Sequence, residues 1–238
     1  MRQIPVPMLE TFAQASALLL ALDPSVAGIA ALSLRVSLAA TAIGCAVGIP
    51  AGAFLAIARF PGRGGAIVAL NALMGLPAVV VGLVIYLALS RSGPLGHLGL
   101  LFTPAAMVVA QAVLVTPLVA ALTRQIVEDA EGELGEQLRS LGLPAWRRVR
   151  ALLLDVRFSL AVAVLAAFGR AIAEVGAVLV VGGNIAGHTR TMTTAISLET
   201  QKGDLPLALA LGMVLLALVL VVNAAAAVLR AHALRRHG

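Results

Sequence analysis

Residues 205–229 are apolar on nearly every face, and similar runs recur along the chain. Such a stretch calls for a bilayer as its solvent. In the hydrocarbon core each backbone N–H and C=O must be bonded within a helix or a closed barrel. Barrel strands read as roughly ten-residue stretches of alternating apolar and polar residues. These runs do not alternate, so they are helices. The composition agrees: 61% of residues are hydrophobic and 12% charged, against roughly 45–50% and 25% in soluble domains. At about 20 residues per crossing, a chain of 238 residues is expected to be an all-α membrane protein with about five transmembrane helices in one domain.

Met8, Leu9, Phe12, Leu19 and Leu22 recur at helical spacing, with Glu10 and Gln14 off that face. This predicts an N-terminal amphipathic helix on the membrane surface within residues 1–24, with a marginal extra span as the alternative. Asp23-Pro24-Ser25 breaks the pattern and starts the next helix. The first span ends at Ile57, before a turn carrying Arg59 and Arg63. The second, 67–89, is interrupted by Gly75-Leu76-Pro77, where the proline is expected to kink it. Pro104 opens a third span ending near Leu122, a polar stretch occupies 123–157, and a fourth span covers 158–181. A glycine-rich loop, 182–187, leads through a polar segment to the fifth span. Residues 231–238 form a basic tail.

The net charge of +6 does not indicate nucleic acid, because the arginines lie between apolar runs and no base-reading face gathers them. They report topology instead. With the loops after spans one, three and five on one side, that side holds Arg59, Arg63, Arg124, Arg139, Arg147, Arg148, Arg150, Arg157, Arg230, Arg235 and Arg236. The other side holds Arg2, Arg35, Arg91, Arg190 and Lys202. The richer side is cytoplasmic by the positive-inside rule, which places the N-terminus outside and the C-terminus inside a cytoplasmic (inner) membrane.

Catalysis finds no support. The only lysine, Lys202, is not part of a Gly-Lys-[Ser/Thr] phosphate loop. The four histidines are scattered without metal-ligand spacing, and Cys45 is alone. No cofactor or metal is expected.

The polar stretch 123–157 is too patterned for a passive connection. Glu136, Gln137 and Leu138 can lie in a short helix, Gly142 can end it in the left-handed conformation, and Pro144 can start the next. Trp146 suits a buried aromatic anchor at a docking surface, or a position at the headgroup level. In this segment the sequence resembles the type I importer permeases of the ATP-binding cassette transporters. Glu136-Gln137-Leu138 stands at the family's Glu-Ala-Ala, Gly142 at its glycine, and Leu152 and Leu154 at its Ile-x-Leu, with Asp155 in place of the final proline. The resemblance implies that residues 136–148 dock into a separate ATPase subunit.

A narrower resemblance runs along nearly the whole chain. The stretch from Gly75 through Leu83, Ser90-Arg-Ser-Gly-Pro-Leu-Gly, Leu101-Phe-Thr-Pro, and the run from Gly169 to Arg190 are similar to the permeases of tungstate importers, relatives of those for molybdate and sulfate. The implied assembly is a permease homodimer, ATP-binding cassette ATPase subunits and an external anion-binding protein. The type I permease domain would span residues 25–230 of a bacterial or archaeal membrane protein. A self-sufficient secondary transporter is the competing reading, although no internal repeat supports it.

Arg170 and Glu174 fall at i and i+4 within the fourth span and share a face. Ionisable groups at membrane depth point to function by default. The pair either neutralises itself to fix packing, or leaves Arg170 beside an anion path. Pro77, with Gly183 and Asn184 of the glycine-rich loop, is the candidate gate.

Overall fold

The structure is a computed structural model that describes residues 8–21 and 23–237, with side chains up to residue 231. Its elements are α1 (Met8–Leu20), α2 (Pro24–Ile57), α3 (Arg63–Met74), α4 (Ala78–Leu89), a short 3-10 turn at Gly96–Leu98, α5 (Pro104–Ser140), α6 (Ala145–Asp155), α7 (Arg157–Ile172), α8 (Gly176–Gly182), α9 (Met192–Lys202) and α10 (Leu205–His237). Among the described residues there is no strand. Among the described residues three helices, α2, α5 and α10, are long and apolar enough to cross a membrane, and the bent pairs α3–α4 and α6–α7 raise that to five if each counts as one crossing.

The central seam is α2 against α5. Gly44, Gly48 and Gly52 recur every four residues, so one face of α2 carries no side chains where α5 lies closest. A Cβ at Gly48 would sit 2.9 Å from both the Thr116 carbonyl and Val119, and one at Gly52 would collide with the Ala120 carbonyl. Small residues at such spacing let two membrane helices approach to backbone contact, where dispersion and interhelical packing hold them. This glycine stripe is a positioning element that the span-by-span reading did not include.

One expectation is refined and three are corrected. First, the N-terminal helix forms as α1 and packs on α10, with Thr11 and Ala15 buried and Met8, Leu9 and Phe12 outward. Small side chains permit that close contact; Leu22 lies outside the described residues. Second, the interruption in the second span is a bend of 95° between α3 and α4, not a kink. Gly75 ends α3 and Pro77 takes an extended conformation, so the hydrogen-bond ladder stops and restarts. Third, residues 123–140 are no loop: α5 continues through them to Ser140. Thr123, Val127 and Ala130 are buried along one side, giving this charged segment an apolar seam at helical spacing. Fourth, the fourth span divides into α7 and α8 at 173–175, and the polar segment after it contains helix α9, started by a reciprocal Thr191–Thr194 capping box.

Candidate functional site

The turn between α5 and α6 forms as its residue types require. Gly142 has φ +68°, a conformation that costs a side chain but not glycine. Its N–H donates to the Arg139 carbonyl at 2.9 Å and closes α5. Pro144 then caps α6 in an extended conformation, its carbonyl accepting from the Arg147 and Arg148 amides at 3.0 and 3.1 Å. Glu136 and Gln137 face outward, whereas Leu138 packs inward against Ala53, Val127, Ala130 and the fully buried Leu152. Because α6 is bent by 73° from α7, it lies across the end of the bundle.

Trp146 is not buried within the chain. It is 61% exposed, with the Arg147 guanidinium over its ring at 5.2 Å from the centroid. The anchor expected from sequence thus stands free for another surface. Beside it, a groove of about 1060 Å³ opens between α2, α5 and α6, lined by Phe54, Arg59, Glu131, Arg139 and Arg148 among others. Arg63, which sequence reading counted only as an orientation charge, ties this region together. Its Nε donates to the Leu55 carbonyl at 2.8 Å, at the end of α2, and its guanidinium pairs with Glu128 of α5, which also pairs with Arg124.

Arg170 and Glu174 form the expected ion pair, Nη1 to Oε2 at 2.5 Å. The pair is asymmetric: the Glu174 side chain is 5% exposed and that of Arg170 is 49%. Glu174 also organises the α7–α8 break. Its Oε1 accepts from the Ala177 amide at 3.3 Å, at the start of α8, and its backbone carbonyl accepts from Thr193 Oγ1 at 2.8 Å. One turn earlier, buried Gln111 of α5 donates to the Ala171 carbonyl at 2.9 Å, leaving its own Oε1 buried and without a partner. Sequence reading passed over Gln111 and Thr193. A lone glutamine inside an apolar span is a signal by the same logic that picked out the charges.

The proposed gate residues do not converge. Helices α4 and α8 pack together, with Val79 against Gly176 and Gly82 against Ala177. Pro77 therefore sits at one end of the pair, and Gly183 and Asn184 follow the other. Gly183, at φ +69°, lies against Phe102. Asn184 donates from Nδ2 to the Thr194 carbonyl at 3.2 Å, and Thr189 Oγ1 ties the loop by donating to the Gly182 carbonyl at 2.6 Å.

Residues 48–235 match the family described as the binding-protein-dependent transport system inner membrane component. The chain belongs to this family. It is 44% identical over 215 residues to the tungstate uptake system permease protein TupB of Peptoclostridium acidaminophilum, covering 90% of this chain and 94% of that one. It is 41% identical to a probable anion ABC transporter permease protein of Haloferax volcanii, over 88% and 93% of the two chains. A more distant relative, 30% identical, is the molybdenum transport system permease protein ModB of Escherichia coli K12, over 69% and 76%. This permease is accordingly a multi-pass inner-membrane component of a transport system; its relatives are transport subunits rather than enzymes, and ATPase and binding-protein partners come with the family.

Proposed function

We propose that this permease is the membrane subunit of an ATP-driven importer of tungstate-class oxyanions. In this reading a homodimer of the chain, within residues 25–230, forms the path, a separate ATP-binding cassette subunit hydrolyses ATP, and an external protein delivers the anion. The observation that carries it is the docking turn, in which Gly142 and Pro144 hold Glu136, Gln137 and Trp146 outward at the end of α5. That helix has 37 residues, a length of about 55 Å, and continues from Pro104 to the turn with Pro117 inside it, where the ladder loses a hydrogen bond. A push at the turn therefore travels along α5 toward the far side of the bundle. The likeness to a tungstate uptake permease over nearly the whole chain supports the substrate class, and the molybdenum relative keeps molybdate as the second reading.

The test is uptake of labelled oxyanion into proteoliposomes holding the permease, its ATPase and the binding protein. The expected result is ATP-dependent tungstate import, with molybdate competing at higher concentration and sulfate weakest. Import by the permease without the ATPase would overturn the reading in favour of a secondary transporter.

The cation distribution further supports an outside N-terminus with the docking turn and C-terminus in the cytoplasm. In a Cys45→Ser background, a membrane-impermeant maleimide is expected to label Gln137→Cys only from the cytoplasmic side and Ala186→Cys only from outside. Labelling of both from one side would remove this orientation.

A further inference from the structure

A cavity of about 380 Å³ lies between the first half of α2 and the loop before α9, lined by Ser25, Leu32, Arg35, Gly187, His188 and Arg190 among others. No carboxylate is in its lining, although Asp23 is bonded to the lining residue Ser25, whose amide donates to Asp23 Oδ1 at 2.8 Å. Arg35 is exposed and, among the described residues, has no acidic partner. Arg190 is bonded through Nη1 to Glu199 Oε1 at 3.2 Å, but that same oxygen also holds Lys202 at 3.1 Å. Two cations thus share one carboxylate and the group stays positive. The Arg190 Nε is buried with no partner.

The depth of the cavity follows from α2. Twenty-two residues separate Arg35 from Ile57 within this helix, a rise of about 33 Å, close to the roughly 30 Å of a bilayer's hydrocarbon core. With Ile57, Arg59 and Arg63 at one interface, Arg35 is at the other. We propose that Arg35, His188 and Arg190 form a receiving site for a tetrahedral oxyanion at the outer mouth, taking the ion as the binding protein releases it. The proposal rests on the import reading above. A guanidinium fork suits such an ion, since it presents paired N–H donors to two of its oxygens; Arg35 is the fork free to do so, while Arg190, held by Glu199, adds positive charge beside it.

The test uses the complete complex in proteoliposomes, with Arg35→Gln, His188→Gln and Arg35→Lys. Losing one charge-assisted contact is expected to slow tungstate uptake roughly tenfold in Arg35→Gln. ATPase stimulation by the loaded binding protein should remain at the wild-type level, and Arg35→Lys should recover most of the uptake. With Arg35 intact, tungstate should also slow maleimide labelling of Ala186→Cys in the Cys45→Ser background, a protection lost when Arg35→Gln is added. Unchanged uptake in Arg35→Gln overturns the site. So does a parallel fall in ATPase stimulation, which would mark these cations as a contact for an acidic surface of the binding protein. Absence of uptake by the wild-type complex overturns the import reading itself, and this site with it.

Discussion

Gly142→Val is expected to leave the complex assembled and to abolish coupling between ATP hydrolysis and transport. Space is not the difficulty, because a Cβ at Gly142 would meet nothing within 4 Å. The difficulty is the backbone: φ is +68°, and a side chain in the left-handed region costs about 1–2 kcal/mol, with a β-branched residue the least tolerant. An exposed turn has few contacts to hold it against that cost. The chain relaxes to another conformation and re-aims α6, whose first turn carries Trp146 and Arg147. A shift of this size lowers the population of the docking geometry roughly five- to thirtyfold. Gly142→Asn is the control, since asparagine visits the left-handed region more readily and should retain most coupling. The measurements are co-purification of the ATPase, its stimulation by loaded binding protein, and uptake. Normal coupling in Gly142→Val would remove the turn from the mechanism.

The turn was legible because its signals are local. Gly142 and Pro144 are two residues apart and each acts through its own backbone. The same holds for the end of α2 at Ile57 and for the start of α5, where Thr103 and Pro104 cap and open the helix. Residues 123–140 were misread for a different reason: charge drew attention to solvent, while the seam of Thr123, Val127 and Ala130 that continues the helix is spread among polar neighbours. The glycine stripe on α2 was equally open to reading, for its spacing is printed in the sequence.

Other features lie beyond any local pattern. The Ser33 hydroxyl accepts from the Met192 amide across 159 positions, Arg63 finds Glu128 across 65, and Gln111 reaches Ala171 across 60. Each partner is selected by helix packing, which sequence periodicity does not specify. The separation of Pro77 from Gly183 and Asn184 is of this kind. The two segments look like matching punctuation in the sequence, but α4 and α8 hold them apart.

For the membrane charge pair, Glu174→Ala is expected to reduce the yield of assembled permease severalfold. Breaking a pair buried on both sides costs about 3–5 kcal/mol. Here the chain leaves half of the Arg170 side chain uncovered, and at membrane depth that does not amount to water, so the loss stays of this order. Some of that loss has nothing to do with charge, because Glu174 also accepts from the Ala177 amide and so starts α8; removing such a cap costs about 1 kcal/mol. Glu174→Gln separates the two contributions by keeping an acceptor for Ala177 while removing the negative charge. The double change Arg170→Leu with Glu174→Leu strands no ion, so it should assemble better than Glu174→Ala yet fall short of wild type by about the cost of the cap. Uptake then decides between neutralisation and transport. If Arg170 serves only to balance Glu174, the assembled double variant imports labelled tungstate at the wild-type rate per complex, and a role in the anion path is excluded. If the exposed half of its guanidinium steadies an oxyanion crossing a region of low dielectric, the double variant hydrolyses ATP on docking of the loaded binding protein and moves little or no anion.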